Sequence, residues 1–215
     1  MRGHLTLHVG QIASERPLSS LSGFDRGTPI DRYYIERFLG AHSNDVRGRV
    51  LEAGDDSYSR KFGGDRIARQ DVLHIDDPAA TFVGDLGTPG LLPSGAFDCI
   101  ILTQVLQYVF DVPAAVKQIR DALRPSGVAL ITVPGVAPIS RDQWRDSFYW
   151  RFTEPSLTRL LTREFNAANV TVAPFGNVYA ASLFLHGAAV EEADRKKLQA
   201  VDPALAIVIT ARAVA

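Results

Sequence analysis

Five carboxylates fall where the chain leaves successive apolar runs: Glu52, Asp55, Asp56, Asp71 and Asp85. The first three lie in residues 49–64, RVLEAGDDSYSRKFGG, which start as a buried strand, turn at Gly54 and become polar. A loop after a first strand usually carries several glycines, so that its backbone can approach a phosphate. Two aspartates stand there instead. Like charges at close range cost about 1 kcal/mol per pair even in water, so a pyrophosphate is disfavoured. A ligand with a positive centre and sugar hydroxyls is favoured. Asp71 follows Glu52 by 19 residues, close to the roughly 20-residue spacing at which an acid accepts from ribose hydroxyls in mononucleotide folds.

The elements that must position these acids follow from periodicity. Short apolar runs near 49–53, 66–72, 81–84, 99–102, 128–133, 170–173 and 205–210 read as seven strands. Between them lie helical stretches. T-P-I-D at 28–31 predicts a helix with Thr28 as N-cap, Pro29 at the first position and Ile30, Tyr34 and Phe38 on its buried face. Asp111 and Pro113 open a second helix, ending at Pro125-Ser126-Gly127, and Thr153, Glu154 and Pro155 open a third. Strands alternating with helices predict an α/β, mostly parallel seven-stranded sheet with helices on both faces. Ligands of such sheets bind at the carboxyl ends of the strands, where strand order reverses. The whole chain, 1–215, is expected to form one domain: a wrapping segment over 1–23, a capping helix over 24–48 and a core over 49–215.

Composition narrows the partners. The chain has 215 residues, 46% apolar, with 23 basic and 24 acidic residues and a net charge of −1. That balance offers no basic footprint for nucleic acid. No apolar run reaches the roughly 18 residues of a spanning helix, which argues against a membrane. The N-terminus has no long apolar stretch of the secretory kind. Cys99 is the single cysteine, which excludes an internal disulfide and a cysteine-based zinc cluster. A cytoplasmic location is therefore expected. The five histidines show no metal-ligand spacing, so no metal is expected, and a homodimer stays open.

S-adenosylmethionine fits the acidic strand ends: it carries a ribose, an ammonium and a sulfonium, and no phosphate. The order VLEAG, Asp71, Asp85, FDCIILTQVLQYV and LRPSGVALITVPG resembles a class I S-adenosylmethionine-dependent methyltransferase, with its Rossmann-like fold. FDRGTPIDRYYIERFL, YWRFT and FGNVYAASLFLHG resemble more narrowly a bacterial methyltransferase group linked to glycan and polysaccharide assembly. The likeness spans roughly residues 24–213. It departs at Asp56 and Tyr58, where that family commonly has glycines. The resemblance implies that Gly54 passes under the homocysteine tail, Asp71 binds the ribose diol and Asp85 receives the adenine amino group, with Leu86 on the ring. It places Thr103 and Gln104 by the methionine portion. It makes Arg26, Thr28 and Tyr34 candidates for the cofactor carboxylate, which suits an arginine fork. Glu52, the last acid of a buried strand, needs partners from loop amides or from the cofactor.

Methyl transfer asks the protein to align a nucleophile and exclude water. An alcohol nucleophile also benefits from a base. The family's frequent histidine after strand 4 is replaced by Gln107. The segment DQWRDSFYWRF offers Asp142 and Asp146 among Trp144, Tyr149 and Trp150, a mixture suited to stacking on and hydrogen bonding to a sugar. Asp146 and His186 are the candidate bases, with Asp142 and His74 behind them. The expected activity is O-methylation of a sugar hydroxyl in a saccharide or glycan precursor, with S-adenosylhomocysteine as the other product. Two alternatives stay open: a methyltransferase of another small molecule, and a non-catalytic cofactor-binding module. A nicotinamide oxidoreductase is disfavoured by the acidic turn.

Overall fold

A computed structural model of the chain describes residues 14–139 and 141–215. Seven strands form one sheet: β1 (Gly48–Ala53), β2 (Ile67–His74), β3 (Phe82–Val83), β4 (Phe97–Thr103), β5 (Leu123–Pro134), β6 (Val170–Phe175) and β7 (Val208–Val214). Their order is β3-β2-β1-β4-β5-β7-β6. All pairs are parallel except those of β7, which runs antiparallel to both β5 and β6. Strand order reverses between β1 and β4, which opens a crevice above their carboxyl ends.

Side chains alternate across a strand, so the continuous apolar runs of β4 and β5 feed two cores. One holds Leu51, Ile100, Leu102, Ala129 and Ile131 against α3 (Val112–Ala122) and α4 (Glu154–Leu161). The other holds Val50, Cys99, Ile101, Val128 and Leu130 against α1 (Ile30–Ala41) and α5 (Val178–His186). Two shorter helices, α2 (Ser57–Gly63) and α6 (Arg195–Leu198), complete the second layer. The sheet is thus covered on both faces, as the sequence pattern predicts. Asp111 caps α3 by accepting from the Ala114 amide at 3.0 Å. Thr153 and Ser156 form a capping box on α4.

Several local expectations are corrected. Helix α1 starts at Ile30, with Pro29 as its N-cap and no side-chain cap. The amide and hydroxyl of Thr28 donate to Glu191 at 2.9 and 2.8 Å instead. The last strand lies at Val208–Val214 rather than 205–210. The described part of the N-terminal segment crosses the end of α5, where the Leu18 and Ser19 amides donate to the His186 carbonyl at 2.8 and 3.2 Å. Residues 1–13 of that segment lie outside the described residues.

The largest correction concerns Asp71. Strand β2 runs on to His74, so Asp71 is three residues short of the strand end, opposite Leu51 of β1. Its carboxylate is 1% exposed and meets Arg49 Nε at 2.6 Å and Arg69 at 3.1 Å. The Arg49 guanidinium in turn lies over the Phe97 ring at 4.7 Å. Asp71 is the anchor of a buried ion pair, and its charge is already satisfied.

Glu52, also 1% exposed, stands one residue before the carboxyl end of β1. It accepts from the Tyr58 and Ser59 amides at 3.1 and 2.7 Å, the first free donors of α2. Burial pushes the Glu52 carboxyl above the ordinary glutamate value, and these amides oppose that shift.

Three substitutions test the roles of these carboxylates. Asp71→Ala leaves the Arg49 charge half-buried and unpaired, and urea unfolding is expected to register a loss of about 3–5 kcal/mol. Arg69→Ala removes an exposed partner and should cost less than about 1 kcal/mol in the same assay. Glu52→Gln turns an amide donor toward a backbone donor, and a loss of about 1–3 kcal/mol is expected, read as a lowered Tm. An unchanged Tm would mean that the α2 amides find another acceptor.

Candidate functional site

Above the β1–β4 reversal lies a cleft with two lobes of about 600 and 560 Å³. Arg32, Ala53, Gly54 and Thr103 line both lobes and so mark their junction. The floor is the turn after β1. Gly54 has φ +98°, and a Cβ there would meet nothing within 4 Å. The glycine is needed for its left-handed conformation and leaves open space above it. The two aspartates of the turn are held by their own neighbours. Asp55 accepts from the Ser57 amide and hydroxyl at 2.8 and 2.6 Å, and Asp56 pairs with Arg60 at 2.6 Å.

One lobe is bounded by the strand-end residues Leu73, His74, Asp85 and Leu86 and by the aromatic rings of Trp144 and Tyr149. His74 occupies the β2 terminus expected for Asp71. Its Nδ1 faces the Asp76 and Asp77 amides at 3.3 and 3.0 Å and lies 3.2 Å from the Asp76 carboxylate. Asp85 Oδ1 takes the Gly87 amide at 2.8 Å. Leu86 is buried, with its carbonyl bound by Gln118 at 2.6 Å. The other lobe is bounded by Thr28, Arg32, Glu52, Asp55, Ser57 and Tyr58.

Arg32 is the residue that sequence reasoning passed over. Its guanidinium lies 5.8 Å from the Phe24 ring centroid and 5.9 Å from that of Tyr58, and donates to the Tyr58 hydroxyl at 3.2 Å. Burial works against its charge, but Asp31, Tyr58 and Asp55 outweigh that cost and raise its pKa. The signal was present: Arg32 lies in the first turn of α1, at the edge of the core stripe rather than in it. Tyr34, chosen instead, belongs to that stripe. It is 1% exposed, its hydroxyl donates to the Leu198 carbonyl at 2.8 Å, and burial raises its pKa to about 12. Arg26 is likewise away from the cleft, forked onto the Glu192 carboxylate at the surface.

A third cavity of about 730 Å³ adjoins the cleft and shares Arg32, Gln104 and Tyr108 with it. Its far wall is the 17–24 segment with Phe184, Leu185 and Gly187 of the α5 end. Gln104 takes a left-handed φ of +56° at the end of β4, a conformation strained for a residue with a Cβ. Gln107 is buried, and its Oε1 has no hydrogen-bond partner among the described residues. Burial raises the pKa of Tyr108 above the ordinary phenol value.

Neither candidate base lines any of these cavities. Asp146 is exposed, in the short turn Arg145–Ser147. His186 spends Nδ1 on the Ser182 carbonyl of its own helix at 2.9 Å. Trp150 is 40% exposed, packs beside Phe110 and donates from Nε1 to the Val109 carbonyl at 3.0 Å, so it supports the rim from outside. Cys99 is buried and its thiol is pushed up by burial, so it is inert packing. No helix among the described residues is long and apolar enough to cross a membrane.

The cleft suits S-adenosylmethionine on its own chemistry. It has an open glycine turn, no phosphate cradle, acids toward one lobe and a buried cation in the wall. Comparison with known proteins agrees. No curated protein matches the chain in sequence. Solved structures with the same fold include a SAM-dependent methyltransferase from Archaeoglobus fulgidus, 10% identical, with a TM-score of 0.56 over 86% of this chain and 94% of that one. Another, from Mesorhizobium loti, is 15% identical, with a TM-score of 0.53 over 82% and 95%. The YcgJ protein of Bacillus subtilis is 12% identical, with a TM-score of 0.52 over 83% and 97%. The family pattern described as a methyltransferase domain matches residues 22–172. The chain therefore belongs to the methyltransferase domain family and is an S-adenosylmethionine-dependent methyltransferase with a Rossmann-like fold.

Proposed function

We propose that this methyltransferase acts on a hydroxyl group of a saccharide or glycan precursor, which enters the cavity beside the cofactor cleft. The observation that carries this reading is the lining of that cavity. Amides, a phenol and ions (Gln104, Gln107, Tyr108, Arg141, Asp142) share it with the apolar ring of Phe148. Sugar rings present one apolar face and a rim of hydroxyls, and such a mixture serves both. Gln107 Oε1, buried in this wall, has no hydrogen-bond partner among the described residues, which leaves its acceptor capacity unspent.

S-adenosylmethionine supplies a methyl carbon activated by its sulfonium. The protein's part is to bind, orient and dry the site. In this reading Arg32 holds the cofactor carboxylate, a charged pair that suits its fork. Thr28 and Gly54 accommodate the amino-acid tail. His74 and Asp85 meet the ribose and adenine, with Leu86 and Tyr149 against the ring. Thr103 and Gln104 stand at the end of β4 beside the methionine portion, and Trp144 leans on His74 at 6.3 Å.

Calorimetry tests the cofactor half. S-adenosylhomocysteine is expected to bind and NAD is not; the reverse would end this reading. Arg32→Ala removes a charge-assisted bond of about 1.5–3 kcal/mol, so S-adenosylhomocysteine should bind about 10- to 100-fold more weakly. Binding of 5′-methylthioadenosine, which lacks the carboxylate, should hold. Arg26→Ala should leave both affinities within about twofold, since its ion pair is exposed. The acceptor half is tested by methyl incorporation into a panel of methyl pyranosides, with phenols and amines alongside. Methylation of an amine and of no sugar would overturn the saccharide assignment.

A further inference from the structure

Asp31 stands in the first turn of α1, beside Arg32, and lines the cavity assigned above to the acceptor. Ile30, Tyr34 and Ile35 of this helix are buried in the core, while Asp31 and Arg32 of its first turn are half-buried and line the cavity. Its neighbour Arg32 lines both lobes of the cofactor cleft as well as this cavity, which puts Asp31 on the cavity side of the shared wall. Among the described residues its carboxylate accepts one hydrogen bond, from the Arg32 amide at 2.8 Å. That leaves acceptor capacity for a further donor. The other carboxylates near the site are spent or exposed. Glu52 holds the α2 amides, Asp55 holds Ser57 and Asp56 holds Arg60. Asp142, across the cavity, is exposed and accepts from the Trp144 amide at 2.9 Å.

We propose that Asp31 is the catalytic base, facing the sulfonium across the acceptor and taking the proton of the acceptor hydroxyl. This rests on the hydroxyl-acceptor reading of the cavity. An oxygen lone pair of the acceptor forms the new bond to the methyl carbon. The carbon–sulfur bond breaks and its pair returns to sulfur, giving a neutral thioether. The hydroxyl proton passes to the Asp31 carboxylate and then to solvent. Burial raises the pKa of Asp31 above the ordinary carboxylate value, and the Arg32 charge opposes that shift. A raised pKa makes it a stronger proton acceptor than an exposed aspartate. The charged and titratable groups around it include Arg32 on its own helix, Tyr58 of α2, Tyr108 after β4, and Arg141 and Asp142 after β5. The two lining segments 17–24 and 184–187 contribute no charged side chain to this cavity.

The test separates placement from chemistry. S-adenosylmethionine and S-adenosylhomocysteine differ by the positive charge on sulfur, so a facing carboxylate favours the first. In Asp31→Asn, calorimetry is expected to show S-adenosylhomocysteine binding within about twofold of wild type and S-adenosylmethionine weakened at least about threefold. A purely structural role would weaken both alike, and an unchanged ratio overturns the placement. On any pyranoside that wild type methylates, Asp31→Asn should lower turnover at least about 100-fold, with partial rescue by Asp31→Glu. Near-normal turnover of Asp31→Asn overturns the base. If wild type methylates no hydroxyl compound but the affinity ratio changes as expected, the saccharide reading falls and the placement of Asp31 against the sulfonium stands.

Discussion

A carboxylate taken out of water must be given donors, and Glu52 receives them from the start of α2. This one arrangement decides what the turn after β1 can hold. In phosphate-binding folds the free amides of that helix point at the ligand. Here the protein's own anion already occupies them, from below, through the Tyr58 and Ser59 amides. Asp55 and Asp56 then close the turn on Ser57 and Arg60. The first amides of α2 are thus spent within the protein, which disfavours a pyrophosphate, and open space lies above Gly54. The acidity that looks anomalous for a nucleotide-binding turn is the consequence of an internally capped helix.

The architecture was legible wherever burial imposes a period. β4 and β5 read as continuous apolar runs because both their faces are covered, and α3 and α4 announced themselves through Asp111 and Thr153. The site was less legible, for reasons visible in single residues. Asp71 has the right type at nearly the right spacing, yet β2 continues for three more residues, and only the register with β1 shows that its partner is Arg49. Periodicity identified Tyr34 as buried, and the same observation should have removed it from the ligand set and promoted Arg32. Asp146 and His186 carry suitable chemistry in sequence. Where they sit depends on the path of a loop and on which way a helix end turns, neither of which a local pattern encodes.

Arg32 joins what the strands set out. It is flanked by Phe24 and Tyr58 and borders all three cavities, so one guanidinium couples the cofactor cleft to its neighbour. Its placement depends on α1 entering at Pro29, which bridges to Ala189, while Thr28 is tied to Glu191 and Arg26 to Glu192. The sequence between Arg26 and Thr28 therefore positions this wall of the cleft through tethers.

Those tethers have a consequence for how the protein can change. The cofactor cleft is walled entirely by residues 24–149, inside the family-matched stretch of 22–172. The adjoining cavity borrows Phe184, Leu185 and Gly187 from beyond it. On the proposed reading, the acceptor's compartment is completed by a segment that lines no part of the cofactor's. The stretch just after that segment also carries the Ala189 and Glu191 tethers of α1, so recasting the end of α5 would move both compartments at once.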